Sequence, residues 1–93
     1  MERELSSFAA SFDEAVLGMT AALAAASRPA LASAAHRVLA HARMVGATAL
    51  GRTAADLQEF ASAYSEAELA GEVALLFRRS AELREALERF RRP

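Results

Sequence analysis

Residues 27–50 read SRPALASAAHRVLAHARMVGATAL. Within them Leu31, Ala35, Val38, Ala42 and Val45 recur every three or four positions, so one side of the segment is apolar at the helical period. Proline fits the first turn of a helix, where its missing N–H costs nothing, and it disfavours helical backbone in the residue before it. Glycine reaches the left-handed conformation in which helices end. Pro29 and Gly46 thus bracket a predicted helix over about residues 29–46.

The same period runs outward in both directions. Leu5, Phe8, Phe12, Val16, Met19 and Leu23 predict a first helix over about 3–26, and Leu50, Ala54, Leu57, Ala61 and Tyr64 a third over about 48–63. Ser65 followed three residues later by Glu68 is a capping-box pattern. It opens a fourth helix over about 66–91 with the stripe Leu69, Val73, Leu76, Ser80, Leu83, Leu87 and Phe90. Short connections between amphipathic helices make consecutive helices antiparallel, so the predicted fold class is all-α, an antiparallel up-down four-helix bundle. Phe8, Phe12, Phe60, Tyr64 and Phe77 are assigned to its core.

Composition agrees with this pattern. At 93 residues the chain fits one domain, 1–93, with a single core. It has four glycines, two prolines and no cysteine, which excludes disulfides, thiolate nucleophiles and thiolate metal sites. No apolar run reaches the roughly 20 residues that span a bilayer, and Glu2, Arg3 and Glu4 spoil a signal peptide at the N-terminus. Membrane insertion is therefore not expected. The net charge of −1 attracts neither nucleic acid nor anionic lipid globally, yet Arg28, Arg37, Arg43, Arg52 and both histidines fall in a stretch free of acidic residues between Glu14 and Asp56. An acidic partner would find that basic island. It lacks a turn-plus-recognition-helix signature and an aromatic platform, so nucleic acid is not the expected partner.

One residue breaks the stripe. At 100° per residue His36 points about 140° from the apolar direction of the second helix, so its imidazole is expected in solvent. Around it lie Ala32 and Ser33 one turn before, Ala40 one turn after and Arg43 two turns after. Small neighbours let another protein approach, and a guanidinium attracts an anion carried on the ring. His41 lies on a flank of the same helix, where partly buried histidines pack. The two rings are five residues apart, about 140° around the helix, and no Glu-x-x-His pair is present, which argues against a metal or haem site.

The stretch from Ala35 to Leu50 resembles the phosphorylation motif of histidine phosphotransfer (HPt) domains, A-H-x-L-K-G-x-A-x-x-x-G-A-x-x-L. Ala35 and His36 match the alanine-histidine pair, Val38 stands for the leucine, and Ala42, Gly46, Ala47 and Leu50 fall in register. Leu39 and Ala40 stand where the family has lysine and glycine. The resemblance implies a phosphocarrier without kinase activity of its own. His36 would accept a phosphoryl group from one receiver aspartate and pass it to a response regulator, with Ala32, Ser33, Arg37, Leu39, Ala40 and Arg43 forming the phosphate and partner surface. It implies no cofactor of its own, Mg²⁺ on the receiver, and a monomeric domain. It also implies a cytoplasmic site, either free or as the C-terminal module of a membrane-anchored bacterial hybrid sensor kinase. The departures at Leu39 and Ala40 leave a second expectation open: a degenerate bundle that binds or dimerises through the same face without transferring phosphate.

Overall fold

The computed structural model describes residues 2–91. They form four helices, α1 (Glu2–Ala24), α2 (Arg28–Met44), α3 (Thr48–Phe60) and α4 (Glu66–Arg91), with no strand among the described residues. Each helix packs against its two neighbours in a closed up-down ring, most extensively between α2 and α3 and least between α1 and α4. The long axis of 45 Å accommodates α4, whose 26 residues span roughly 39 Å at 1.5 Å per residue. Phe12, Met19, Leu31, Val38, Leu57 and Leu76 are fully buried at the centre. Ala15, Ala22, Ala34, Ala35, Ala42 and Ala54 fill the spaces between them. Small side chains at these places let the helix backbones approach closely.

The helix ends explain where the expected boundaries shift. After α2, Gly46 takes φ 70°. The N–H of Ala47 donates to the carbonyl of Ala42 at 2.9 Å and that of Gly46 to Arg43 at 3.4 Å, the double closure of a Schellman end. The first helix ends the same way without a glycine. Ser27 N–H donates to Ala22 at 3.2 Å and Ala26 N–H to Leu23 at 3.0 Å, while Ala26 is held at φ 53°. An alanine in left-handed backbone brings its Cβ too close to the following carbonyl oxygen. Ser27 then caps α2, its side-chain oxygen accepting from Ala30 N–H at 3.2 Å.

The third helix stops at Phe60, short of the expected end, and the guanidinium of Arg28 binds the turn that follows. It donates to the carbonyl of Ala61 at 2.9 Å and to that of Tyr64. The α4 start is the capping box its sequence suggested. Glu68 accepts from Ser65 N–H at 2.8 Å and Glu68 N–H donates to the Ser65 hydroxyl at 3.1 Å. These bonds hold the Glu68 carboxyl below its ordinary value.

Several stripe positions at helix ends are not core. Phe60 is 42 % exposed and packs its ring beside Tyr64, and Phe90 is 81 % exposed. Leu23 and Val45 are also exposed. The apolar period continues into these ends, but the neighbouring helices do not cover them. Phe8, Phe12 and Phe77 do pack in or against the core, as does Tyr64.

Ala26→Gly should raise stability by about 0.5–1 kcal/mol, read as a higher melting temperature. Gly46→Ala should lower it by about 1 kcal/mol, a purely backbone cost because nothing lies within 4 Å of an added Cβ. Glu68, with its pKa lowered on folding, contributes stability that is complete above its ordinary value of 4.5 and is lost as pH falls through the lowered one. Glu68→Gln, which can still cap, should therefore flatten that part of an acid unfolding curve; an unchanged acid limb would contradict the assignment.

Candidate functional site

Helix α2 buries Leu31, Ala34, Ala35, Val38, Leu39 and Ala42, an arc that leaves the opposite side in solvent. His36 stands exposed on that opposite side. Its ring shares a shallow cleft of about 420 Å³ with Ala32, Ser33 and Gln58. The neighbour across the cleft thus comes from α3. No residue of α1 lines this cleft.

Gln58 was not singled out from the sequence, although a signal exists. Gln58 lies twelve residues after Gly46 and His36 ten before it. A tight antiparallel connection at Gly46 therefore brings the two to nearly the same height. Gln58 also stands next to Leu57, one step off the buried stripe, so it faces outward along the edge of the α2–α3 groove. Its side-chain amide offers two N–H donors and one acceptor beside the imidazole.

The other expected surface residues divide. Ser33, Arg37, Ala40 and Arg43 are exposed and Ala32 is half-buried, so they lie on or at the margin of the outer face. Leu39 does not: it is 6 % exposed and belongs to the core. It lies on the flank of α2 toward α3, where Gly51 lets that helix come close; a Cβ at Gly51 would sit 3.8 Å from Leu39 Cδ1 and 3.7 Å from Ala42 Cβ. The position that carries lysine in the resembling motif is thus closed into the α2–α3 packing, and Leu39 adds no apolar surface for a partner. Met44, by contrast, is 74 % exposed.

The basic island is also smaller than it read. Arg28 is committed to the carbonyls of the α3–α4 turn. Arg43 and Arg52 face one another across the lower α2–α3 groove, which Leu39, Ala42, Gly46 and Gly51 also line. Arg37 lies on the other flank, against α1.

His41 has a structural role. Its Nδ1 is 2.8 Å from the carbonyl oxygen of Arg37, which only accepts, so Nδ1 carries the proton and donates. Nε2, 2.9 Å from Ser11 Oγ, accepts from that hydroxyl in the neutral ring. Phe8 and Phe12 pack against the imidazole with centroids at 5.4 Å and 6.0 Å. Both ring nitrogens are thus occupied, Nδ1 within α2 and Nε2 in tying α2 to α1, whereas His36 faces an open cleft.

Burial, followed by the charges of Glu72, Asp56 and Glu68, raises the Tyr64 hydroxyl above its ordinary value. Among the described residues no three His, Cys, Asp or Glu side chains come together as a metal-binding group. Nor is any described helix long and apolar enough to cross a membrane.

The different settings of the two histidines predict different consequences of their loss. His41→Ala should cost about 1–2 kcal/mol, since it removes both hydrogen bonds and the contact with two rings. Ser11→Ala should cost less, about 0.5 kcal/mol, at an exposed bond. His36→Ala should leave stability within about 0.5 kcal/mol of the original, as expected for a surface change. Denaturant titrations of the three variants check this ordering.

Among protein-family models, the one described as the Hpt domain matches residues 3–93. Comparison with curated proteins and with solved structures returns no match.

Proposed function

This chain belongs to the Hpt domain family, whose work is histidine phosphotransfer in phosphorelay signalling, and from that premise we propose that His36 is its phosphoacceptor. The observation that carries the assignment is the contrast between the histidines: the His36 ring faces an open cleft with Gln58, while both nitrogens of His41 are engaged. The group that feeds it is an acyl phosphate on the aspartate of a receiver domain.

A neutral imidazole has a nitrogen lone pair free to attack, and an ordinary histidine is largely neutral near pH 7. In the proposed step Nε2 of His36 attacks phosphorus. The P–N bond forms, the P–O bond to the aspartate breaks, and the carboxylate leaves with its electron pair while the Nδ1 proton stays on the ring. A second receiver reverses the sequence, its aspartate oxygen displacing the imidazole. Phosphoryl transfer needs positioning and charge neutralisation more than covalent help. The Gln58 amide and the Ser33 hydroxyl supply donors at the cleft for phosphoryl oxygens. Arg37 and Arg43 supply positive charge on the outer face, in place of the lysine that Leu39 replaces. We assign Mg²⁺ to the receiver, and phosphoryl supply to a kinase other than this domain.

Small Ser33 and Ala40 keep the middle of the face low, which suits close docking of a receiver. In this reading the domain works as a monomer on the cytoplasmic side, free or as the last module of a hybrid sensor kinase. Exposed Met44 favours the second reading, a helical module that binds through this face without carrying phosphate.

Transfer from a phosphorylated receiver to the unchanged chain, His36→Gln and His41→Gln tests the assignment. The expected result is acid-labile, alkali-stable label on the first and third and none on the second. Gln58→Ala should slow labelling by about tenfold, the worth of one hydrogen bond of roughly 1.4 kcal/mol. Label that survives loss of His36 would move the acceptor elsewhere. A folded chain that binds receivers and takes no label would be the non-catalytic module.

A further inference from the structure

Gly18 lies in the interior of α1, where glycine is a poorer helix former than alanine. Its neighbours show what the missing side chain permits. A Cβ there would come within 2.9 Å of an Nη nitrogen of Arg37 and 3.6 Å of its Cζ, with Ala34 Cβ next at 4.0 Å. The Arg37 guanidinium thus occupies the space against α1 that a methyl group would fill.

Arg37 follows His36 directly, and the 100° step puts it on the α1 flank of the outer face while His36 stands on the α3 flank. Arg43 and Arg52 stand on the α3 side. Exposed Ser33 and Ala40 lie between the two flanks. The His36 face is therefore a low strip with cations on both sides.

We infer that Gly18 is a positioning residue for docking: it provides the seat that holds the Arg37 charge on the α1 flank, so that an acidic receiver face meets cations on both sides of His36. The inference rests on the proposed receiver partner. Its physical content is preorganisation. An arginine already held beside the docking surface loses less freedom on binding than one that sweeps through solvent, and fixed charge at the rim acts chiefly on the association rate.

An added methyl at Gly18 meets only the far end of a flexible side chain, so the helix accommodates it and Arg37 is what moves. The test is stopped-flow association of a receiver domain with the unchanged chain, Gly18→Ala, Arg37→Gln and the double variant, at low and high ionic strength. Gly18→Ala and Arg37→Gln should each slow association by about threefold at low salt, with the difference vanishing at high salt. The double variant should be no slower than Arg37→Gln alone. Gly18→Ala should melt no lower than the original, which separates displaced charge from damaged folding.

Association of Gly18→Ala at the original rate would overturn the inference, and so would independent, multiplicative effects in the double variant. A chain that binds no receiver at all sinks the partner assignment along with it. A chain that binds but takes no phosphoryl group sinks only the acceptor role of His36 and leaves the comparison of the four association rates valid.

Discussion

Helix α2 meets its neighbours through side chains no larger than a methyl group at Ala34, Ala35 and Ala42, with Leu31, Val38 and Leu39 between them. Close packing at such contacts fixes both the distance and the rotation of the helix, because protein interiors leave no slack for a side chain to turn over. Once that arc is committed, the azimuth of every other residue on α2 is set. His36 points outward because Ala35 and Val38 point inward. Ser33 and Ala40 lie beside it as a low surface for the same reason.

The rotation of α2 also separates two histidines that composition alone treats alike. His41 falls on the flank toward α1, where Ser11, Phe8 and Phe12 engage the ring and the Arg37 carbonyl takes its proton donor. A ring so held is a strut. His36 falls on the flank toward α3, beside Gln58, where the ring edge stays open. A nucleophile needs a free lone pair and room for the incoming group, and only the second setting supplies both.

The cations show how a charge pattern in one dimension is redistributed in three. Four arginines read as one basic island between Glu14 and Asp56. Folding commits Arg28 to two backbone carbonyls at the α3–α4 turn, where it replaces a conventional cap. Arg43 and Arg52 face each other over the α2–α3 groove, and Arg37 rests against the bare backbone at Gly18. What remains for a partner is a pair of flanks, and the position of the motif's lysine is occupied by a leucine turned into the core.

The sequence by itself determined the helical class, the order of the four helices, the capping box at Ser65, the glycine end at Gly46 and the outward direction of His36. All of these follow from local periodicity or from the conformational preferences of single residues, which act within a few positions along the chain. Tertiary structure alone decided that Leu39 is buried, that Phe60 and Phe90 are not, that Arg28 binds the turn after the third helix, that Ala26 adopts a glycine's backbone, and that Gln58 stands across from His36. Each of these depends on how far a neighbouring helix reaches and at what height it crosses. The helical period states which side of a segment is apolar, but only the packing of one helix on another decides how wide an arc of that side is covered and what stands at its edge.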